Sequence, residues 1–202
     1  VAEADITVAL PGTDRAPPAK GDGEPPRILS IGTLSPRKGH DVLVAALKAN
    51  ADLAWQARIV GSRDLDPKTT TALEEQIETL GLSERIALAG ECEDSRLELS
   101  KADIFALASR YEGYGMVFAE ALSQGLPIVA CHAGAVPDVV PEDAGILVSV
   151  DDVAAFAAAL RRLLLNPDER RSRAGAAARA GALLPNWDDT AARIAQALDK
   201  IR

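Results

Sequence analysis

Six short apolar runs recur along the chain, and this rhythm constrains the fold more than any other feature of the sequence. Each run is four or five residues long, and most lack polar alternation, as is typical of strands in a parallel sheet covered on both faces. The runs are residues 27–31, 57–60, 85–89, 104–108, 127–131 and 145–149. Helical segments separate most of them, which predicts right-handed βαβ crossovers. We therefore expect an α/β fold, a Rossmann-like doubly wound parallel sheet of about six strands with C-terminal helices.

The sequence outside this rhythm divides the chain into three parts. Residues 6–10 have the pattern of one more short strand, and residues 15–26 have the Pro, Gly and charge content of a linker or an exposed loop. We predict that residues 1–26 form an interdomain junction and linker and that residues 27–184 form the compact domain. Residues 185–202 carry a helical pattern after Pro185 and form a separate terminal helix.

Composition and charge exclude several classes of protein. A formal net charge of −8 argues against a nucleic-acid partner, because nucleic acids bind cationic surfaces. The apolar runs are far shorter than the roughly 20 residues that span a bilayer, and residues 1–13 lack the basic start of a signal peptide. Cys92 and Cys131 are too few for a disulfide framework, so we expect both to be buried in a reducing cytosol. We predict a cytoplasmic bacterial protein, with peripheral attachment of the full-length protein to the inner membrane left open.

Two loops after strands are candidate ligand sites, because ligands of open parallel sheets bind beyond the carboxyl ends of the strands. The loop at residues 32–39 places Arg37 and Lys38 directly before a helix, where free amides already favour an anion. This favours phosphate binding over a solvated basic loop. The loop at residues 109–116 contains Gly113 and Gly115, and its amides can cradle a phosphate or a sugar hydroxyl.

Two glutamates accompany the second loop. Glu112 precedes the predicted helix and Glu120 lies inside it, in an apolar stretch where a buried carboxylate needs a partner. A helical separation of about 12 Å is too long for the carboxyl pair of a glycosidase. We interpret the pair as contacts to hydroxyl groups at two ends of one long ligand. The alternative is a helix cap and an ordinary helix residue.

At this point the residues resemble a known family. Residues 112–130 are similar to the E-x7-E block of retaining GT-B glycosyltransferases, particularly the large family 4, and residues 32–39 resemble that family's phosphate-contacting block. Residues 11–14 resemble its interdomain junction. The resemblance covers nearly the whole chain in order, and it implies a hexosyltransferase-like donor domain that binds a nucleotide-diphosphate sugar of the UDP, GDP or ADP type. It also implies that no cofactor or metal is obligatory.

The resemblance implies roles for individual residues. Lys38 and Glu112 are the implied catalytic residues, with Lys38 on the donor diphosphate and Glu112 on the transferred sugar. Glu120 is implied to contact the ribose hydroxyls. The amides that hold the sugar beside Glu112 belong to residues Gly113, Tyr114, Gly115 and Met116.

The loop of residues 32–39 departs from the family pattern at one position. Gly32 begins the block, but Thr33 stands where the family commonly has Arg, so one diphosphate cation is absent. We expect Arg37 to supply that charge, since its guanidinium fork suits phosphate oxygens, with Arg110 as a weaker candidate. By the same resemblance, Gly90 and Glu91 lie against the nucleobase.

The resemblance further implies transfer with retention of anomeric configuration. The acceptor, which is a sugar, a lipid-linked sugar or another molecule, would bind to an N-terminal domain outside this sequence, and residues 185–202 would return toward that domain. We therefore expect the present chain alone to be inactive. Two alternatives remain: a non-catalytic nucleotide-sugar-binding domain, which Thr33 favours, and half of a GT-B sugar-nucleotide epimerase. A dinucleotide oxidoreductase is excluded, because the first loop lacks Gly-x-Gly-x-x-Gly.

Four further residues carry expectations. Asp66 stands directly before Pro67, which favours a helix N-cap over a metal ligand. We expect His40 to lie on the surface and Trp55 and Trp187 to be packing residues.

Overall fold

A computed structural model describes residues 6–200 of the chain; residues 1–5 of the predicted junction and residues 201–202 of the predicted terminal helix lie outside them. Within this range, six strands form one parallel sheet in the order β3-β2-β1-β4-β5-β6. The strands are β1 Arg27–Ile31, β2 Gln56–Val60, β3 Ile86–Leu88, β4 Ile104–Leu107, β5 Ile128–Cys131 and β6 Gly145–Val148. The predicted Rossmann-like parallel sheet is confirmed, with no strand end shifted by more than one residue.

Helices connect the strands and complete the C-terminal part. They are α1 His40–Ala49, α2 Pro67–Thr79, α3 Ser95–Ser100, α4 Met116–Ser123, α5 Val136–Val139, α6 Val153–Leu165, α7 Pro167–Ala182 and α8 Trp187–Asp199, with a 3-10 turn at Pro36–Lys38. Asp66 accepts a hydrogen bond of 3.1 Å from the amide of Thr69, which confirms the predicted N-cap of α2. None of the described helices has the length and apolar character that a membrane span requires.

The strand order places a topological switch point between β1 and β4. The chain runs outward from β1 to β3 and then returns to β4, which pairs with β1 through Ile28 opposite Ile104 and Leu29 opposite Phe105. Connections leave β1 and β4 toward opposite sides, so a crevice opens between the loops that follow them. Residues 32–39 and residues 109–115 therefore lie side by side, although they are distant in sequence.

The core is divided between the two faces of the sheet. One cluster of buried apolar residues joins the sheet to α1, α2 and α6, and a second joins it to α3, α4, α5 and α7. Because helices cover both faces, β4 and β5 are buried at every position. Phe105 of β4 and Phe118 of α4 meet edge to face, with ring centroids 5.7 Å apart. This contact fixes the start of α4 over the carboxyl end of β4.

Residues 6–10 do not form the predicted strand. Ile6 and Val8 are exposed, and the segment runs past the start of α8 instead of along a sheet edge. There the hydroxyl of Thr190 donates to the carbonyl oxygen of Leu10 at 2.8 Å, and the amide of Thr13 donates to the carbonyl oxygen of Pro185 at 2.8 Å. The prediction was wrong because local apolar alternation fits a strand only where a neighbouring strand can pair with it.

Candidate functional site

The two loops at the switch point are in backbone contact. Gly39 ends the 3-10 turn and begins α1 with a φ of 63°, and a Cβ added to it would lie 2.0 Å from the carbonyl oxygen of Ala108. The amide of Arg110 donates to the carbonyl oxygen of Arg37 at 2.8 Å. Only glycine allows this approach, because any side chain at residue 39 would meet the end of β4.

At the contact between the loops, Glu112 lies among three donors. Lys38 Nζ is 2.7 Å from Glu112 Oε1, the hydroxyl of Ser109 donates to the same oxygen at 2.5 Å, and Arg37 Nη1 is 3.5 Å from Oε2. The Glu112 side chain is only 6% exposed, so the adjacent cations compensate for the removal of its charge from water. Sequence reasoning selected Glu112, Lys38 and Arg37 separately, and the fold brings them together.

Ser109 is a site residue that sequence reasoning missed. It follows β4 and stands three residues before Glu112, and this spacing at a strand end was the available signal. Nothing in the sequence indicates that its hydroxyl turns inward and not toward solvent. In the structure Ser109 is buried, so its hydroxyl is committed to the carboxylate.

The backbone after Glu112 forms an amide-lined start to α4. Gly115 is the N-cap residue with a φ of 81°, and Met116 is the first helical residue. The first amides of a helix have no intrahelical partner, so this turn offers donors and a favourable dipole to an anion or a hydroxyl. Gly113 is exposed beside it, and burial raises the pKa of the half-buried Tyr114. Residues 113–116 directly follow Glu112 in the chain, and their role as a cradle for the sugar stays a prediction.

Glu120 lies one turn into α4, counted from Met116, and its carboxylate contacts Ser95 and not the residues around Glu112. The hydroxyl of Ser95 donates to Glu120 Oε2 at 3.1 Å, and burial raises the pKa of the Glu120 carboxyl above its ordinary value. Glu120 lines a cavity of about 220 Å³ together with Asp14, Met116 and Trp187. The two glutamates thus occupy separate parts of one edge of the domain.

The two tryptophans have different environments. Trp55 is buried, its indole N–H donates to the carbonyl oxygen of Asn50 at 2.8 Å, and Arg85 stacks 3.6 Å above its ring. Its predicted packing role is confirmed. Trp187 is 48% exposed on the wall of the Glu120 cavity, so the same expectation was wrong for Trp187. Trp187 is the first residue of α8 and lies at the molecular surface. The periodicity of the helix does not show whether another segment covers its ring.

His40 lies beneath the 32–39 loop, and the expectation of a surface position was wrong. Its Nε2 is 3.2 Å from the carbonyl oxygen of Gly32, and burial lowers its pKa to about 4. A carbonyl oxygen only accepts, so Nε2 carries the proton and the ring is neutral at pH 7. The spacing of His40 with the buried Leu43, Val44 and Leu47 was the signal for an inward position.

Among the remaining candidates, Arg110 is occupied by neighbours within the domain. It forms ion pairs of 2.8 Å with both Asp41 and Asp151. Arg37, half-exposed beside Glu112, keeps donors for a ligand. Thr33, partly buried, follows Gly32 in the loop after β1.

Gly90 and Glu91 lie in the loop after β3, which is at the same edge of the sheet as the Lys38–Glu112 pair. The carbonyl oxygen of Gly90 accepts a bond of 2.8 Å from the amide of Gly61, and Glu91 is exposed. Across residues 6–200, no group of three or more His, Cys, Asp or Glu side chains is arranged to hold a metal ion.

The parallel sheet, its helices on both faces and the crevice beyond its strands define a Rossmann-like domain of the doubly wound α/β class. The sequence profile of the family described as glycosyl transferases group 1 matches residues 14–181. This match covers most of the chain, so the chain belongs to the glycosyl transferases group 1 family.

Individual relatives agree with the family assignment. The chain is 37% identical over 172 residues to a D-inositol 3-phosphate glycosyltransferase of Xylanimonas cellulosilytica, covering 83% of this chain and 40% of that protein. It superimposes on sucrose-phosphate synthase of Thermosynechococcus elongatus with a TM-score of 0.80 at 28% identity, over 88% of this chain and 46% of that one. The C-terminal domain of a Francisella tularensis glycosyl transferase group 1 protein aligns with a TM-score of 0.69 at 26% identity, over 82% of this chain and 86% of that one. The chain spans less than half the length of the curated relatives that it matches first.

Proposed function

We propose that this chain is the donor-binding half of a retaining hexosyltransferase and that it binds a nucleotide-diphosphate sugar. The proposal rests on the 2.7 Å contact between Lys38 Nζ and Glu112 Oε1 at the switch point of the sheet. A cation suited to a diphosphate and a carboxylate suited to sugar hydroxyls lie side by side. These two groups are needed on either side of the bond between a donor sugar and its phosphate.

The diphosphate is held by Lys38, Arg37 and the backbone of Gly32 and Thr33. As the bond to the sugar breaks, negative charge develops on the leaving phosphate. Fixed cations and backbone dipoles stabilise that charge without the need for a protein acid. Arg37 compensates for Thr33, because its half-exposed guanidinium lies within 3.5 Å of Glu112, next to Lys38.

The sugar and the nucleoside occupy opposite ends of the site. Glu112 and the amides of the α4 start, residues 113–116, hold the transferred sugar. Glu120, supported by the Ser95 hydroxyl, accepts hydrogen bonds from the ribose, and Gly90 and Glu91 lie against the base. The cavity beside Glu120 supports this assignment of the ribose.

Exposed apolar side chains near both chain ends support a second domain as the partner. Ile6 and Val8 lie exposed near α8, whose Trp187, Ile194 and Leu198 are also exposed. We propose that residues 1–26 and 185–202 adjoin an N-terminal domain that binds the acceptor, and that the present chain alone transfers no sugar. The whole protein is proposed to act in the cytoplasm, with or without peripheral contact with the inner membrane.

Calorimetric titration of the chain with UDP, GDP and ADP tests the proposal. We expect one nucleotide to bind saturably and both Lys38→Ala and Glu120→Ala to weaken it. Lys101→Ala is the matched control, because Lys101 is exposed after α3 at the opposite edge of the sheet. Thermal melting verifies that each variant folds. Absence of binding to the chain and also to the full-length protein would refute the assignment, and NMR of the product formed by the full-length enzyme tests retention.

A further inference from the structure

The backbone of Glu112 is held by a loop from another strand. The amide of Ala135, in the loop after β5, donates to the carbonyl oxygen of Glu112 at 3.0 Å. Gly134 packs so closely that an added Cβ would lie 2.1 Å from the same oxygen. The position of the Glu112 backbone is therefore set by β5 as well as by β4, and only its side-chain torsions remain to be fixed.

The two oxygens of the Glu112 carboxylate have unequal surroundings. Oε1 accepts from Ser109 at 2.5 Å and from Lys38 at 2.7 Å, whereas Oε2 has one long contact of 3.5 Å with Arg37. A carboxylate oxygen has two lone pairs, so Oε1 is saturated and Oε2 retains acceptor capacity. Oε2 is therefore the oxygen that can accept a hydrogen bond from a ligand hydroxyl.

Of the two donors to Oε1, Ser109 is the better suited to fix the torsions of Glu112. Ser109 is 1% exposed and has one side-chain torsion, and its backbone lies two residues beyond the end of β4. Lys38 reaches the same oxygen through a long flexible chain and is also the proposed contact to the diphosphate. Precise sites depend on supporting residues whose own rotamers are locked by packing.

We propose that Ser109 is a positioning residue that fixes Glu112 with Oε2 directed to a hydroxyl of the donor sugar. This inference rests on the proposed function, since it requires that the site bind a nucleotide-diphosphate sugar. Ser109 thereby contributes to the preference for a sugar nucleotide over the free nucleoside diphosphate. Without the hydroxyl, Glu112 stays paired with the cations but samples other rotamers.

Loss of the Ser109 hydroxyl should affect the binding of a sugar nucleotide and not that of the free nucleoside diphosphate. Ser109→Ala should weaken the binding of a sugar nucleotide about tenfold, the loss of one well-oriented hydrogen bond to a charged group. Binding of the free nucleoside diphosphate should change less than about twofold, because that ligand has no sugar for Glu112 to contact. A purely structural role for Ser109 would weaken both ligands together.

Calorimetry with matched ligand pairs tests this inference: UDP with UDP-glucose, GDP with GDP-mannose, and ADP with ADP-glucose. Ser109→Thr keeps the hydroxyl and should retain the preference for the sugar nucleotide over the free nucleoside diphosphate. Ser109→Cys keeps the side-chain volume but has only a weak donor, so its binding should resemble that of Ser109→Ala. Ser30→Ala is the matched control, because Ser30 is equally buried and lies in β1 without contact to Glu112. Melting curves identify any variant that does not fold, in which case the Cys variant replaces Ala.

Two results would overturn the inference while leaving the proposed function intact. One is an unchanged preference in both the Ala and the Cys variants, and the other is an equal loss for both members of a ligand pair. If the unmodified chain and the full-length protein bind no sugar nucleotide at all, the proposed function fails and this inference fails with it. The two failures are thus distinguishable from the behaviour of the unmodified protein.

Discussion

Gly39 allows a direct test of how the site is assembled, because it brings the loop of residues 32–39 against the end of β4. Its φ of 63° lies in the left-handed region, and a Cβ would come within 2.0 Å of the Ala108 carbonyl oxygen. Gly39→Ala therefore introduces two costs at once. One is the strain of an L-residue in this conformation, and the other is the displacement of α1 or of residue 108.

The structure contains a matched glycine that separates the two costs. Gly81 follows α2 with a φ of 67°, and an added Cβ would meet nothing within 4 Å. We expect Gly81→Ala to cost about 1 kcal/mol of folding free energy, from backbone strain alone. Gly39→Ala adds overpacking against backbone of about 2 kcal/mol, for a total of about 3 kcal/mol. For a domain of this size, the totals correspond to a fall in Tm of roughly 2–4 °C for Gly81→Ala and 6–12 °C for Gly39→Ala.

Thermal and urea unfolding followed by circular dichroism measure this difference on the two variants and the unmodified chain. Gly39→Ala should also weaken nucleotide binding, because Lys38 and Arg37 move with the loop, whereas Gly81→Ala should not. Equal destabilisation of the two variants would show that residue 39 has room for a side chain. The close approach of the loop to Ala108 would then be incorrect, and with it the basis for the position of Lys38.

Three further predictions concern buried polar groups. Asp103→Ala should lower the free energy of unfolding in urea by about 3 kcal/mol, because the buried carboxylate accepts hydrogen bonds from the amide of Arg27 at 2.7 Å and from the amide of Gly23 at 2.9 Å. A loss below about 1 kcal/mol would contradict those bonds. Burial lowers the pKa of His40 to about 4, so the unfolded state binds more protons than the folded state below about pH 6.5. The chain should therefore lose about 2 kcal/mol of folding stability between pH 7 and pH 5, and the His40→Gln variant should not show this loss. Equal pH profiles for the two proteins would refute a neutral buried ring. Burial raises the pKa of the Cys131 thiol to about 11, whereas Cys92 is partly exposed. A disulfide reagent at pH 8 should therefore label Cys92 first, and the Cys92→Ser variant should lack the early phase of the labelling reaction.

Much of the fold could be predicted because its signals are local. A strand covered on both faces must be apolar throughout, as at residues 104–107 and 128–131, and its length is limited by the thickness of the domain. Helix starts were equally readable where a capping residue precedes Pro, as at Asp66 and Pro67. Parallel connection then follows from the alternation of helices and strands.

The candidate site was partly readable for the same reason. Lys38 and Glu112 stand in loops after strands and Glu120 lies inside the helix that follows the second loop, and parallel topology assigns those loops to one edge. The two glycines of the second loop predict a close approach of backbone to a ligand, and this stays a prediction. The sequence by itself thus determined the architecture and the family, and it predicted the edge of the sheet at which the proposed site lies.

Tertiary structure alone decided which partner each polar group takes. The burial of Ser109 and His40, the engagement of Arg110 by two aspartates and the exposed position of Trp187 depend on segments that are distant in sequence. Residues 6–10 show the same dependence, since a strand pattern becomes a strand only beside a free edge. Hydrogen bonds and burial depend on which segments lie next to each other, and the order of strands in the sheet determines that. The sequence of a single segment does not contain this information.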